Sequence, residues 1–241
     1  MKAVIIGQGR MGSLIKKTLE AKGHEVLGMA DLISPEGLEN NLDNCEMIID
    51  FSNHANLDWV TDLAVKNNIP LVEGTTALSQ DQIEHLHEAS KSIPVFFSSN
   101  YSLGVAVLKE LVRQANELLK DEWDIEITEI HHSQKKDAPS GTAISLLEAV
   151  NFNNRPVAYG RSPEDGKREN EIGMHSLRGG TVPGTHEVIF FGTDETVSLK
   201  HEAISRQIFV DGAVKAAEFL RKQPAGLYSM NDLISIHQSG E

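Results

Sequence analysis

Cysteine is nearly absent from this chain, which contains a single one, Cys45. One cysteine cannot form a disulfide within the chain, so the composition favours a reducing compartment. Long apolar runs are missing too, and no segment reaches the roughly 20 apolar residues of a membrane span. The apolar run in MKAVIIGQG is too short for a signal peptide and passes directly into glycines. We therefore expect a cytoplasmic protein.

Positively charged residues are also in short supply, with 22 Lys and Arg against 35 Asp and Glu. The net charge of -13 disfavours polyanionic partners, so we expect neither nucleic acid nor an anionic membrane to bind. A local basic site for a small anion stays open. The 241 residues, with 40% hydrophobic and 24% charged content, allow one large globular domain or two small ones.

Glycine is concentrated near the start of the chain, after the strand-like run KAVIIG. Gly7, Gly9 and Gly12 form the pattern G-x-G-x-x-G, a predicted helix follows as far as Gly23, and a second predicted strand ends at Asp31. In this context the glycines permit a tight turn, close approach of a pyrophosphate and close packing of helix on strand. The helix start offers free N–H groups to phosphates, and the acid stands where a ribose hydroxyl binds. A chance glycine turn in an unrelated α/β unit is the alternative.

Predicted strands and helices continue to alternate up to about residue 101, which indicates a doubly wound parallel sheet. Ligands of such sheets bind beyond the carboxyl ends of the strands. Three predicted strand ends carry small polar residues: Phe51-Ser52, Gly74-Thr75-Thr76 and Ser98-Ser99-Asn100-Tyr101. Small side chains there suit a flat ring and its amide lying close to the backbone. Each segment taken singly is equally well explained as an ordinary polar loop.

The second half of the chain has a different pattern. DEWDIEITEIHH predicts a strand because its apolar positions are spaced by two. Several strand-like runs between Asn170 and Ser205 follow one another without a helix, which predicts antiparallel or mixed pairing. We therefore expect an α/β protein, with a Rossmann-like doubly wound parallel sheet plus a second α+β domain that has a mixed or antiparallel sheet.

The stretch EIHHSQKKDAPSGTAI, which begins at residue 129, collects groups that carry protons and positive charge just before a predicted helix. Hydroxyls and free N–H groups in Ser140-Gly141-Thr142 make a cradle for an anion such as a carboxylate. Lys135-Lys136 add positive charge, and His131-His132 can move protons near neutral pH. Beside a nicotinamide, a hydride and a proton together mean reduction of C=C, C=N or C=O. A capped helix after a solvated charged loop is the alternative.

The same histidines do not predict a metal site. Adjacent residues on a strand point to opposite faces, so His131 and His132 cannot easily bind one metal together. No acid or cysteine stands at a ligand spacing that supports zinc. We expect no bound metal.

This stretch also resembles the pattern E-x-H-H-x-x-K-x-D-A-P-S-G-T-A of the 4-hydroxy-tetrahydrodipicolinate reductase family, also called dihydrodipicolinate reductase. The resemblance extends over nearly the whole chain, in GQGRMG, DFS, EGTT, SSNYSLGV, IGMHSLRGG, VPGTHEV and AGLYSMNDLI. It implies reduction to tetrahydrodipicolinate on the diaminopimelate and lysine pathway, with NADH or NADPH. It also implies a homotetramer, a cofactor domain of residues 1–101 and 212–241, and a substrate and oligomerisation domain of residues 102–211.

The resemblance assigns roles to individual residues. His131 matches the proton donor and Lys135 the catalytic lysine, whereas Lys136 falls at a variable position. The residues that match or adjoin substrate contacts, for a small dicarboxylate, are His132, Ser140, Gly141 and Thr142. Together with the glycine pattern, the expected cofactor-binding residues are Gly7, Gln8, Gly9, Arg10, Met11, Gly12, Asp31, Phe51, Ser52, Gly74, Thr75, Thr76, Ser98, Ser99, Asn100 and Tyr101.

Two departures from the family pattern concern the cofactor. The glycine loop is one residue shorter than in some members, and Leu32 follows Asp31 where some members have an arginine. A carboxylate without a neighbouring guanidinium repels the 2′-phosphate of NADPH, so we expect NADH to be used at least as well. Two other functions stay open: another NAD(P)-dependent reductase of a small amino or keto acid, and a dinucleotide-sensing regulator without chemistry. The intact pair of His131 and Lys135 speaks against the regulator.

Overall fold

The structure, a computed structural model, describes residues 1–30, 42–119 and 122–235. The chain folds as two compact units, one of Met1–Leu103 with Gln207–Glu241 and one of Gly104–Arg206. The chain therefore leaves the first unit once and returns to it, so the second unit is an insertion in sequence.

The first unit is organised around a six-stranded sheet. Its strands are β1 (Lys2–Ile6), β2 (Glu25–Ala30), β3 (Met47–Asp50), β4 (Leu71–Glu73), β5 (Pro94–Phe97) and β11 (Gly226–Tyr228). Their order across the sheet is β11-β5-β4-β3-β1-β2, and every neighbouring pair is parallel. The parallel sheet expected from the alternating pattern is confirmed.

The helices of the first unit are α1 (Arg10–Ala21), α2 (Leu57–Asn67), α3 (Gln80–Ala89), α6 (Gln207–Leu220) and α7 (Met230–Ser235). Gly23, the predicted stop after α1, has φ 77°, which a residue without a side chain adopts at little cost. At the start of α3 the Ser79 side chain accepts from the Gln82 N–H at 3.2 Å, and the Gln82 side chain accepts from the Ser79 N–H at 3.1 Å. These reciprocal bonds satisfy two N–H groups that a helix start otherwise leaves free.

The core of the first unit consists of the short β-branched strands themselves. Ile5, Ile48, Val72 and Val95 have no exposed surface. Apolar residues fill consecutive positions on these strands because a parallel sheet is buried on both faces. The strand ends therefore form a rigid edge on which the following loops are fixed.

The second unit contains a five-stranded sheet. Its strands are β6 (Asp124–His131), β7 (Val157–Tyr159), β8 (Ile172–Arg178), β9 (Gly184–Phe191) and β10 (Thr196–Ala203), and its helices are α4 (Leu103–Leu119) and α5 (Gly141–Val150). The order is β10-β9-β6-β8-β7. β6 pairs parallel with β8 and antiparallel with β9, so the sheet is mixed, as expected.

Strand β6 has one buried and one partly exposed face. Ile125 and Ile127 are buried against α4 and α5, and two polar residues, Glu129 and His131, continue the same buried face. The alternation follows from the period of two along a strand. It delivers a carboxylate and an imidazole to the interior at the end of the central strand.

Two features of this sheet differ from what the pattern alone suggests. The runs that become β8 and β9 are consecutive, yet they do not form a hairpin, because β6 lies between them. β7 was not predicted from the sequence, since its three residues are too short to show a period. Among the helices of the described ranges, none has the length and apolar character needed to cross a bilayer.

Candidate active site

The glycine loop of the first unit is shaped by close backbone contacts. Gly7 has φ 106°, and an added Cβ would lie 2.7 Å from the Phe51 carbonyl oxygen. At Gly12 an added Cβ would lie 1.8 Å from the carbonyl oxygen of Gly7, so only glycine allows α1 to pack this closely on β1. Both expectations for these two residues, the tight turn and the close packing, agree with the geometry.

Gly9, the middle glycine of the pattern, leaves open space where α1 begins. Gly9 is the N-cap of α1 in an extended conformation, and an added Cβ would meet no atom within 4 Å. The first N–H groups of the helix face this space, and they carry the positive end of the helix dipole. Arg10 and Gln8 lie exposed on either side. The loop thus fits a pyrophosphate, while Asp31 lies outside the described residues.

Three strand ends meet next to this loop, and we call Phe51, Gly74 and Tyr101 the strand-end cluster. The rings of Phe51 and Tyr101 are tilted by 55° with centroids 5.0 Å apart. The Phe51 ring covers Gly74 so closely that an added Cβ would lie 2.4 Å from it. Tyr101 is fixed from below, because its hydroxyl donates to the carbonyl oxygens of Glu73 at 2.7 Å and Phe96 at 3.2 Å.

The remaining expected cofactor residues occupy the turns around this cluster. Ser52 accepts from the Asn56 side chain at 3.0 Å, and Ser98 donates to the Asn100 carbonyl at 2.8 Å. Thr75 is buried, whereas Thr76 and Ser99 are exposed. The structure therefore brings the three predicted segments to one edge of the sheet, as the parallel topology requires.

In the second unit, one buried carboxylate collects four donors. Glu129 accepts two bonds from the guanidinium of Arg178, at 2.7 and 2.9 Å. It also accepts from the Ser140 N–H at 3.2 Å and lies 2.5 Å from Nδ1 of His131. We call these residues, with His186, the Glu129 network. Burial raises the pKa of Glu129, but the bonds from Arg178 and His131 outweigh burial and hold its pKa below the ordinary value.

His131 is held in a defined orientation by this network. Burial lowers its pKa, and the positive charges of Lys135 and Arg178 add to that effect against the opposing pull of Glu129. The free imidazole is therefore neutral near pH 7, with its Nδ1 proton directed at Glu129. Its Nε2 lies only 3.0 Å from where a Cβ on Gly184 would stand, so a glycine keeps the space beside this nitrogen open.

Ser140 is the N-cap of α5, and its side chain is already engaged. The hydroxyl accepts from the Ala143 N–H at 3.2 Å and lies 3.1 Å from Nε2 of His186. His186 is buried with its ring edge-on to that of His131, with centroids 5.1 Å apart. Burial and the charge of His131 lower the pKa of His186 to about 4. The serine thus links the helix start to the buried histidines.

One ligand atom from each of Glu129, His131 and His186 lies within 4.8 Å of the others, a spacing at which a metal ion could be held. The fork of Arg178 already occupies both oxygens of the carboxylate. A guanidinium in this position repels a cation and leaves the carboxylate little capacity to bind one. The cluster is better explained as a hydrogen-bond network that orients His131.

Lys135 and the exposed start of α5, at Gly141 and Thr142, complete the candidate site of the second unit. Lys135 pairs with Asp137 at 2.8 Å and lowers the pKa of that carboxyl, while Lys136 is exposed. Gly141 leaves open space at the start of α5, where an added Cβ would meet no atom within 4 Å. Thr142 is half-buried in the first turn. The helix start and Lys135 together suit a small anion.

Comparison with known proteins identifies the family. Residues 1–101 match the family described as "Dihydrodipicolinate reductase, N-terminus", and residues 104–234 match "Dihydrodipicolinate reductase, C-terminus". The chain belongs to the dihydrodipicolinate reductase family. The resemblance drawn from EIHHSQKKDAPSGTA is thereby confirmed.

Individual members of the dihydrodipicolinate reductase family match over the full length. The 4-hydroxy-tetrahydrodipicolinate reductase of Brachyspira hyodysenteriae is 41% identical over 239 residues, which cover 98% of this chain and 100% of that protein. The protein of the same name from Caldanaerobacter subterraneus is 42% identical over 238 residues, 94% of each chain. A dipicolinate-bound dihydrodipicolinate reductase from Paenisporosarcina sp. TG-14 shares the fold, with TM-score 0.78, 20% identity and coverage of 97% and 99%.

Sequence reasoning missed part of the candidate site in this member of the dihydrodipicolinate reductase family. Glu129, Arg178, Gly184 and His186 were not among the expected site residues, although each lies in a segment that resembles the family. The sequence around a carboxylate or an arginine on a strand does not indicate which residue it will contact. Here the contacting residues come from three different strands, β6, β8 and β9. The one available signal was the polar residue Glu129 on the otherwise apolar face of β6.

Proposed function

We propose that this chain catalyses the NAD(P)H-dependent reduction of 4-hydroxy-tetrahydrodipicolinate, via dihydrodipicolinate, to tetrahydrodipicolinate in diaminopimelate and lysine biosynthesis. The observation that carries the proposal is the placement of His131. It ends the central strand of the second unit, is oriented by a buried carboxylate, and keeps its second nitrogen accessible beside Gly184. A family that matches both units supports the same reaction.

The first unit binds the cofactor. The glycine loop and the start of α1 receive the pyrophosphate, and Asp31 receives the ribose. The strand-end cluster and the turns of Ser98 and Thr75 receive the nicotinamide end. When bound, NADH or NADPH supplies the hydride. With the cofactor bound, the partly exposed Phe51 ring, supported by the buried ring of Tyr101, would shield one side of the nicotinamide from water.

The second unit binds the dicarboxylate substrate. The start of α5 at Gly141 and Thr142 receives one carboxylate through N–H groups and a hydroxyl, and His132 adds a further donor. The Ser140 hydroxyl is engaged with Ala143 and His186, so Ser140 contributes chiefly by fixing the helix start. Lys135 supplies positive charge close enough to lower the pKa of His131.

Protonation of the product is the task of His131 and Lys135. His131 is neutral in the free protein, so donation from its Nε2 requires that the imidazole first gain a proton. A bound dianion raises the pKa of a neighbouring imidazole, because it stabilises the charged form. The Glu129 carboxylate then stabilises the imidazolium through Nδ1. Lys135 is the second candidate donor, and the two are separable by variants.

We further propose that the second unit builds a homotetramer, and that residues 1–101 with 212–241 form the cofactor domain while residues 102–211 form the substrate and oligomerisation domain. One face of the mixed sheet is packed by α4 and α5. On the other face Leu177 and Phe191 are 47% and 40% exposed, which suits a covered interface. Light scattering at micromolar concentration is expected to give four copies, and a monomer would refute this arrangement.

The decisive assay measures NADH oxidation with substrate generated by a coupled synthase, and then repeats it with NADPH. We expect turnover with both cofactors, with kcat/KM for NADH at least equal to that for NADPH. Turnover of a keto acid in the absence of turnover with this substrate would refute the proposal. Dinucleotide binding without any turnover would make the chain a sensor instead.

Variants separate the two candidate donors. We expect His131→Ala and Lys135→Ala each to lower kcat by on the order of a hundredfold while cofactor affinity is retained. Lys136→Ala is the matched control, since Lys136 is exposed and adjacent. The variant of the donor is also expected to lose the alkaline limb of the pH profile of kcat, because a proton donor becomes inactive when it deprotonates.

A further inference from the structure

Two carboxyl groups lie buried side by side beneath the strand-end cluster. Asp50 ends β3 and Glu73 ends β4, and the two residues are paired directly across the parallel ladder. Neither has any exposed surface. Neighbouring strands lie about 4.8 Å apart, so in-register side chains on the same face touch. The mechanism described above uses neither group.

One oxygen of each carboxyl group holds the turn that follows its own strand. Oδ1 of Asp50 accepts from the Ser52 N–H at 2.8 Å, and Oε1 of Glu73 accepts from the Thr75 N–H at 2.7 Å. These turns carry Phe51, Ser52 and Gly74 to Thr76, the segments assigned to the cofactor. The two bonds therefore set the shape of both turns from below.

The second oxygen of each carboxyl group is buried as well. Oδ2 of Asp50 and Oε2 of Glu73 accept no well-formed hydrogen bond from the described residues, and the nearby hydroxyls of Ser52 and Thr75 offset the burial only in part. The two side chains are nevertheless within hydrogen-bonding reach of one another. Two ionised carboxylates are acceptors only, so they cannot form that bond. A single proton between these oxygens satisfies both.

The surroundings favour that proton. Burial raises the pKa of Asp50 to about 6, and burial with the charge of Asp50 raises the pKa of Glu73 well above its ordinary value. The other titratable group that faces the pair is Tyr101, and burial together with the charge of Glu73 raises its pKa, so it remains neutral. Within the described ranges, no cation acts on the pair to offset the charge.

We propose that Asp50 and Glu73 share one proton and act as positioning residues, which hold the turns after β3 and β4 in the shape that receives the nicotinamide end of the cofactor. The inference rests on the proposed function, since it takes these turns as cofactor contacts. Loss of the shared proton puts two adjacent buried anions under the turns. Their repulsion moves the strand ends apart and weakens cofactor binding as the pH rises.

The test measures the Kd of NADH by fluorescence titration at a series of pH values from about pH 6 to about pH 9. It needs no substrate. In the unaltered protein we expect the Kd to rise about tenfold at the alkaline end, which corresponds to one pKa unit of coupling. Glu73→Gln replaces the shared proton by an amide N–H that can donate to Asp50, and it keeps an oxygen for Thr75. We expect it to flatten the profile to less than about twofold.

Glu25→Gln serves as the control, because Glu25 is an exposed glutamate on β2 of the same sheet. It is expected to keep the pH dependence of the unaltered protein. An unchanged slope in Glu73→Gln, or a flat profile in the unaltered protein, would overturn the proposal. Asp50→Asn is the second variant, with the same expectation, if Glu73→Gln does not fold.

Infrared spectroscopy of the unaltered protein gives an independent readout. A protonated buried carboxyl has a C=O band distinct from carboxylate bands, and we expect this band at neutral pH and its loss in both variants. Absence of the band would refute the shared proton whatever the variants do. Failure of the proposed reaction would appear only in the reductase assay, so the two failures are distinguishable.

Discussion

The glycine loop of the first unit and the Glu129 network of the second unit are built from different parts of the chain. The loop works with backbone N–H groups, and its side chains are absent where Gly7 and Gly12 meet other backbone atoms. The network works with side-chain charge, and a buried carboxylate orients its imidazole through one bond. The glycine loop depends on the absence of side-chain atoms, and the Glu129 network depends on the presence of every hydrogen-bonding partner.

This difference determines which kind of substitution destabilises each site. A backbone site is damaged by an added methyl group, because helix and strand have no room to move apart. A charged network is damaged by the loss of one member, because the partner is left buried and unpaired. The following substitutions test that distinction, in order of expected effect.

Glu129→Gln is expected to cause the largest loss. The change leaves the Arg178 guanidinium without its counter-ion, so we expect the free energy of unfolding to fall by about 3–5 kcal/mol. We also expect kcat to fall about a hundredfold, because His131 loses the carboxylate that stabilises its charged form. Glu117→Gln is the control, since Glu117 forms an exposed ion pair with Arg113 within α4 of the same unit. Equal stability of the two variants in a denaturant titration would contradict the role of the network.

Gly12→Ala is expected to lower the free energy of unfolding by about 3 kcal/mol, since its Cβ meets a backbone oxygen that cannot give way. Gly9→Ala adds the same methyl group into open space, so about 1 kcal/mol or less is expected. Denaturant unfolding without cofactor measures both. A Gly9 variant as unstable as the Gly12 variant would show that the close contact between Gly12 and Gly7 does not explain the loss.

His186 should make stability depend on pH in the acidic range. Its pKa of about 4 in the folded protein lies below that of the unfolded chain, so the unfolded state binds more protons between about pH 6.5 and about pH 4. Stability is therefore full above that window and is lost as the pH falls through it, by roughly 3 kcal/mol. The pKa of Asp50, at about 6, lies in the same pH window. Asp50 titrates in both the unaltered protein and His186→Gln, so the difference between their stability curves reports His186 alone. Parallel stability curves for the two proteins would refute the prediction.

Thr142→Val is expected to have the smallest effect, a rise in KM of about threefold to tenfold with little change in kcat. The Thr142 hydroxyl binds a substrate carboxylate that is present in both the ground state and the transition state. Loss of this hydroxyl therefore weakens the binding of both states equally. Ser145→Ala is the control, because its hydroxyl donates to the Thr142 carbonyl inside the helix. A fall in kcat at unchanged KM would place Thr142 closer to the reacting atoms.

The first unit could be predicted in detail because its signals are local. The spacing of Gly7, Gly9 and Gly12 predicts a turn and a helix start that follow one another in the chain. The cap of α3 is equally local, because Ser79 and Gln82 stand only three positions apart. The parallel topology then places the strand ends of Phe51, Gly74 and Tyr101 on one edge without further information.

The second unit could be predicted only in part because its partners are distant. Arg178 is 49 residues from Glu129, and His186 is 46 residues from Ser140. Nothing in the spacing of either pair indicates that β6 lies between β8 and β9. Ser140 was recognised as part of the helix start, but its bond to His186 required the mixed sheet. The pairing of Asp50 with Glu73 likewise depends on the register of β3 and β4.

Strand β11 closes the sheet of the first unit at the edge beside β5, and α6 packs against α1 in the same unit. Both elements follow the insertion, so the ribosome delivers them after the second unit. Until Gly226 has left the ribosome, β5 is an open edge with unpaired N–H and C=O groups, and such edges pair with other chains. The nascent protein is thus most exposed to misassembly when its second unit is already complete, and chaperone dependence should be greatest at that stage of translation.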